Sequence, residues 1–199
     1  LGYMHRFTQH TQGSIRYGLS IRDSDDADND YTVHQGSVGL EHAFSKTLRL
    51  DAYAGAYQQA GSPGDDENGV LGGLTVEKTF HRSTLSFDVE RGWDEGYLEE
   101  DQRGFTEYWT DGANFRHQLT EDLDFYTRAF YRKNEEEVEA EDESIYQGSM
   151  GLKWDFLRWY ALGLDYRYRK QVSDDPEDEY ESNRVMLTIS WRRSFHWPR

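Results

Sequence analysis

Three groups of residues have the types and spacing to do chemistry: scattered histidines, an acidic run, and arginines that recur on alternate positions. The histidines are His5, His10, His34, His42, His81, His117 and His196. A serine hydrolase or zinc protease would set such residues in G-x-S-x-G or H-E-x-x-H, and neither string occurs. No catalytic residue is assigned, and the chain is not expected to be an enzyme. The acidic run "DSDDADND" carries Asp26-x-Asp28-x-Asp30, the spacing that opens an EF-hand loop. The sixth position is Tyr31 where that loop needs Gly, and the twelfth is Ser37 where it needs Glu. So no metal site is assigned, no cofactor is expected, and weak Ca²⁺ or Mg²⁺ binding by acidic loops is the most this run allows.

The elements that would position these residues are strands. Apolar and polar residues alternate with period 2 along the chain, with no sustained period of 3.6. The alternation predicts strands over Leu1–Thr8, Ser14–Arg22, Thr32–Phe44, Leu48–Gln58, Val70–Phe80, Thr84–Trp93, Phe105–His117, Leu123–Arg132, Ser144–Phe156, Trp159–Lys170 and Asn183–Phe195. Pro63, Pro176 and Pro198 all fall outside them, as a hydrogen-bonded ladder requires. The 199 residues read as a single domain, 1–199. A net charge of −16 and acidic loops argue against a nucleic-acid partner. The absence of Cys excludes disulfides and thiolate metal sites. Fourteen Tyr, 10 Phe and 6 Trp are too much ring surface for a disordered acidic chain.

The connections alternate in kind. Short ones lie near His10–Gln12, Ser45–Thr47, His81–Ser83, Thr120–Asp122 and Phe156–Arg158. Long acidic ones are "DSDDADND", "QAGSPGDDENG", "DEGYLEEDQRG", "KNEEEVEAEDE" and "VSDDPEDEYE", and they hold most of the 38 Asp and Glu. Short turns on one side and long loops on the other resemble the transmembrane β-barrels of the Gram-negative outer membrane. The resemblance is to the broad porin-like class and runs over the whole chain. It implies an all-β, antiparallel, up-and-down transmembrane barrel, with the outer membrane as location and its lipid and lipopolysaccharide as partners. It also implies an even strand number. Eleven visible strands, the first leading into a short turn, therefore predict about twelve, with an N-terminal strand missing before Leu1 and a longer barrel, of which the chain is the C-terminal part, also open. The alternative is that Leu1–Thr8 is not a strand and ten remain from Ser14 onward. The last strand carries Leu187, Ile189, Trp191 and Phe195 on alternate positions, with Arg193 interrupting and "HWPR" running past.

The two parities of each strand then acquire roles. The lipid-facing parity carries Ile15, Leu19, Val38, Leu40, Leu74, Val89, Leu152, Leu164, Val185 and their equivalents. Rings flank this band at the two membrane interfaces: Phe44, Phe80, Phe156, Tyr160, Trp191 and Phe195 toward the short turns, and Tyr31, Trp93, Trp109, Tyr131, Tyr146 and Tyr168 toward the long loops. The other parity would line a lumen with Arg16, Arg22, Arg49, Asp51, Glu77, Asp88, Glu90, Arg116, Asp124, Arg128, Arg132, Lys153, Asp165, Arg167, Arg169, Arg184 and Arg192. Tyr53, Tyr57, Tyr108 and Tyr126 share it, either to stack on sugars or to fill space. An Arg-rich lumen suits passive passage of small polar or anionic solutes, saccharides among them. A non-conducting barrel that presents its acidic loops to a partner is the alternative, with paired charges plugging the interior. An outer-membrane hydrolase is a weaker one, which a Ser–His or His–Asp contact at one rim would favour.

Overall fold

The computed structural model describes residues 1–22, 31–61, 67–95, 105–136, 142–157, 159–174 and 178–191. Its described residues form one antiparallel sheet of eleven strands in sequence order. These are β1 (Gly2–Arg6), β2 (Thr11–Arg22), β3 (Tyr31–Ser45), β4 (Leu48–Gly61), β5 (Glu67–Thr79), β6 (Ser83–Glu95), β7 (Phe105–Gln118), β8 (Leu123–Glu136), β9 (Asp142–Leu157), β10 (Tyr160–Ser173) and β11 (Tyr180–Trp191). Each stretch of period-2 alternation has a strand as its counterpart among the described residues, the last as far as Trp191, with 192–195 outside them.

The boundaries differ mainly at the long-loop ends. β8 runs on to Glu136 and β9 starts at Asp142, so the ladder continues through residues read as loop. Apolar alternation marks only the part of a strand that must face lipid; beyond it, hydrogen bonds hold the ladder and polar side chains cost nothing. A 14-residue strand such as β7 spans about 46 Å at ~3.3 Å per residue, enough to cross a tilted apolar band of about 25 Å and project past it.

The short turns are closed by their own backbone. Phe7 N–H donates to Thr11 O at 3.0 Å, Phe80 N–H to Ser83 O at 2.7 Å and Leu119 N–H to Leu123 O at 2.8 Å. In the β3–β4 turn the Ser45 hydroxyl accepts from Thr47 N–H at 3.2 Å, beside a register shift between Ala43 and Ser45.

Among the described residues β1 and β11 do not pair, so the sheet is open between them. In an up-and-down sheet of eleven, the first and last strands run parallel and cannot extend the antiparallel ladder to each other. The sheet nevertheless curls. Trp93 of β6 reaches Gln35 of β3, and Tyr57 of β4 reaches Glu107 of β7. Strands three places apart lie about 14 Å apart in a flat sheet, so these contacts need one face to be concave.

Candidate functional site

The concave face can be followed through the ladder, because directly opposed residues share a face. One row runs Met4, Ser14, Gly39, Tyr53, Gly73, Glu90, Thr110, Arg132, Ile145, Gln171, Tyr180, one residue from each strand. In β2 and in β4 to β11, the strands given lumen residues, the parity assigned to the lumen is the parity of this row. The convex face carries the aliphatic residues, and it is bare: Val185 and Ile189 are each 70% exposed. Phe44, Phe80, Trp109, Tyr146, Phe156, Tyr160 and Trp191 are exposed as well, while Tyr131 packs on Tyr146 at 5.0 Å and Tyr168 is half-buried.

Two rings assigned to the long-loop interface lie elsewhere. Tyr31 is buried with Val33 and Tyr57, and Trp93 packs against that cluster. Tyr31 belongs to the concave parity of β3. Trp93 has convex parity, but its strand leaves the wall. The β5–β6 ladder ends at Gly72–Arg91, whereas β6–β7 pairing continues to Glu95–Phe105. The freed end of this hairpin leans across the concavity. Trp93 Nε1 donates to Gln35 Oε1 at 2.9 Å, and the Tyr57 hydroxyl donates to Glu107.

Of the residues assigned to the lumen, several meet. Arg49 bridges Glu41 and Asp51, both at 3.0 Å. Arg116 pairs with Asp124 at 2.7 Å, Arg132 with Asp94 at 3.3 Å and Lys153 with Asp155 at 2.8 Å. The Arg132 guanidinium also lies over the Tyr108 ring, 4.4 Å from its centroid. Arg128 sits over Phe130 and Arg169 over Tyr180. Asp88 accepts from Asn114 at 3.3 Å, and Asp165 from Tyr126. Glu90 accepts from Tyr53 at 3.0 Å and from Tyr108 at 2.8 Å, both on Oε1. Arg16 lines a cavity with Glu90. Glu77, Arg167 and Arg184 stand on the same face through their pairing. The side chain of Arg22, together with Arg192 and Phe195, lies outside the described residues. So does the Asp26-x-Asp28-x-Asp30 run, with most of the acidic loops.

Charge is not spread evenly over this face. The charged side chains of concave parity on β5 and β6, among those described, are the carboxylates Glu77, Asp88, Glu90 and Asp94. Arg91, on the inward-leaning end of β6, lines the cavity beside Glu90 and is paired with Glu107. Arg167, Arg169 and Arg184 dominate it on β10 and β11. The lining is therefore mixed, with an acidic wall and a basic one.

The strand histidines among the described residues, His5, His34, His42 and His117, all have convex parity. His117 Nδ1 lies 2.7 Å from Ser83 Oγ, His42 Nδ1 lies 2.9 Å from Thr11 Oγ1 and His34 Nδ1 lies 2.7 Å from the Tyr17 hydroxyl. Ser83–His117 is a Ser–His contact at the short-turn rim. A hydrolase would set a carboxylate behind the imidazole; here His117 stacks on Phe115, 6.1 Å between centroids. Thr11–His42 repeats the same cross-strand pair in another hairpin, which is the pattern of interfacial strand pairing.

One feature escaped the sequence reading. Tyr53, Tyr57, Tyr108 and Tyr126 each stand directly opposite a glycine: Gly73, Gly69, Gly92 and Gly151. A Cβ at any of these glycines would run into the tyrosine ring or hydroxyl. All four pairs span hairpins closed by long loops. Only a tight turn fixes register from sequence, so the tyrosines could be assigned to the lumen but their partners could not be named.

A family model described as Putative beta-barrel porin 2 matches residues 83–193. Among solved structures, the chain resembles a loop-L8 deletion mutant of OmpT, an outer membrane protein of Vibrio cholerae, with TM-score 0.56 and 13% identity over 96% of this chain and 61% of that one. In-vitro folded OmpT of the same organism gives TM-score 0.54 at 13% identity, over 96% of this chain and 62% of that one. The chain thus spans about six-tenths of the length of these structures. At such identity the likeness speaks for the fold. No curated protein matches the chain.

Proposed function

Because the chain belongs to the β-barrel porin family whose model it matches, and so sits in the outer membrane of a Gram-negative bacterium among its lipid and lipopolysaccharide, we propose that it conducts small polar or anionic solutes, saccharides among them, passively along its concave face. The observation that carries this reading is the wetness of that face. Arg49 and Arg116 project from it with side chains 53% and 65% exposed, although each is ion-paired. A plugged interior would bury such pairs, since charges withdrawn from water need compensation that only close packing with partners supplies. Among the described residues Tyr31, Val33 and Tyr57 are buried on this face toward the long loops, with Thr106, Thr110, Glu143 and Gln171, so that end is narrower and the short-turn end, with Arg49 and Arg116, is the open one.

The carboxylates temper the arginines. Arg49, Arg116, Arg132 and Lys153 are each neutralised locally, so the preference for anions is modest. No reaction is proposed: the Ser83–His117 contact favours a hydrolase only by its distance, and its stacking on Phe115 favours a structural pair. Swelling of proteoliposomes in isotonic solutes of increasing size tests the proposal. Entry of small sugars and amino acids with a sharp size cut-off is expected. Vesicles that stay impermeable with folded protein inserted would overturn it.

A further inference from the structure

The geometry points to a binding site for an uncharged sugar ring in the cavity beneath the inward-leaning β6–β7 hairpin, an assignment that rests on the concave face being the solute path. The cavity holds about 330 Å³ and is walled by Arg16, Gln35, Tyr53, Glu90, Trp93 and Tyr108. That is the lower end of the range for small-ligand pockets.

Its walls are built for stacking. The Tyr53 ring lies against the backbone at Gly73 and the Tyr108 ring against Gly92, where a Cβ would stand 3.1 Å from the Tyr108 hydroxyl. A ring pressed on a glycine cannot turn away from the wall, so one face of it is offered to the cavity. Their hydroxyls are anchored on the same oxygen, Glu90 Oε1. That fixes both rings and removes their own polar groups from competition. Flat aromatic faces ringed by a few placed polar groups suit a ligand with an apolar face and a polar rim, and a pyranose is such a ligand.

Its polar groups select against charge. No described residue donates to Glu90 Oε2, which leaves an acceptor for a pair of sugar hydroxyls. Arg16 and Gln35 bring donors from β2 and β3, and Ser37 adds a group that both donates and accepts. Arg91 lines the cavity as well, but its guanidinium is held by Glu107 at 2.8 Å. An anion in this cavity would meet the Glu90 carboxylate, and a cation would meet Arg16. A neutral polyol satisfies both.

The test uses the full chain, folded in detergent, titrated with methyl α-glucoside and with glucuronate. Binding is read by saturation-transfer NMR and calorimetry, neither of which depends on conduction. Saturable binding of the glucoside but not of glucuronate is expected. Glu90→Gln should weaken it about tenfold, the effect of losing hydrogen bonds to a charged acceptor. Trp93→Phe, which keeps a ring but loses the bond to Gln35, should weaken it less, and Val185→Ala on the convex face should leave it unchanged. Heat-modifiable mobility on gels confirms that each variant is folded. Absent glucoside binding, equal binding of glucuronate, or indifference to both Glu90→Gln and Trp93→Phe would overturn the site. Sugar binding by a barrel that does not conduct would sink the permeation reading and spare the site. Conduction without sugar binding would do the reverse.

Discussion

The Tyr53 hydroxyl crosses an intervening strand to donate to Glu90 Oε1 at 3.0 Å, passing over Gly73, which stands opposite both residues in the ladder. The same construction recurs across β8, β9 and β10, where Tyr126 passes over Gly151 to reach Asp165. The glycine is what makes the bond possible, because any side chain in the middle strand would occupy the path of the ring. The tie spans three strands on the inner face, so it holds curvature as well as two residues.

Substituting that glycine should therefore cost more than its helix or strand propensity suggests. Gly73→Val is expected to lower barrel stability by about 1–3 kcal/mol, the range for overpacking a filled site. Gly148→Ala is the control, since a Cβ there meets nothing within 4 Å. It should be neutral or stabilising by about 0.5 kcal/mol. Urea unfolding of both variants in the same detergent gives the comparison.

Tyr108→Phe keeps the ring and removes the bond to Glu90, which measures 2.8 Å. With the acceptor on the concave face, a loss of about 1 kcal/mol is expected, near the middle of the range for an ordinary hydrogen bond. Unfolding midpoints of Tyr108→Phe and Tyr53→Phe should shift alike if both tyrosines support the same carboxylate. A double variant that loses the sum of the two would contradict their sharing it.

The assignment of faces is checked on β11, which has exposed residues on both sides. Leu187→Arg places a charge on the convex face and should cost about 2–4 kcal/mol if that position lies at mid-membrane. Thr188→Arg, its neighbour on the concave face, should cost well under 1 kcal/mol, as a lumen substitution does. Refolding yields into lipid vesicles would separate the two, and equal yields would contradict the assignment.

Ser83 should behave as a structural hydroxyl. A fluorophosphonate probe is expected to leave it unlabelled, and Ser83→Ala should change stability by no more than about 1 kcal/mol. Stoichiometric labelling lost in Ser83→Ala would show that the pair with His117 is a working nucleophile.

How legible this was in the sequence follows from the physics of alternation. Period 2 marks a strand wherever one face is in lipid and the other in water, so the strands and their faces could be read one at a time. Arg132 and Glu90 could both be assigned to the lumen by parity, but not to one row of the ladder. That needs register across a long loop, which no tight turn fixes. Trp93 misled for a related reason. Its parity is that of a lipid-facing ring, and only the early end of the β5–β6 ladder at Gly72–Arg91 turns its hairpin inward. The gap between β1 and β11 was legible from the count alone, because eleven strands running up and down leave the first and last parallel.

The central claim is that solutes pass along the concave face, and single-channel recording in planar bilayers tests it most directly. The account predicts stable openings with a slight anion preference in the reversal potential, and a larger conductance in Trp93→Ala, where the inward hairpin loses its bond to Gln35. A folded, heat-modifiable barrel that stays electrically silent, both as wild type and as Trp93→Ala, would contradict it.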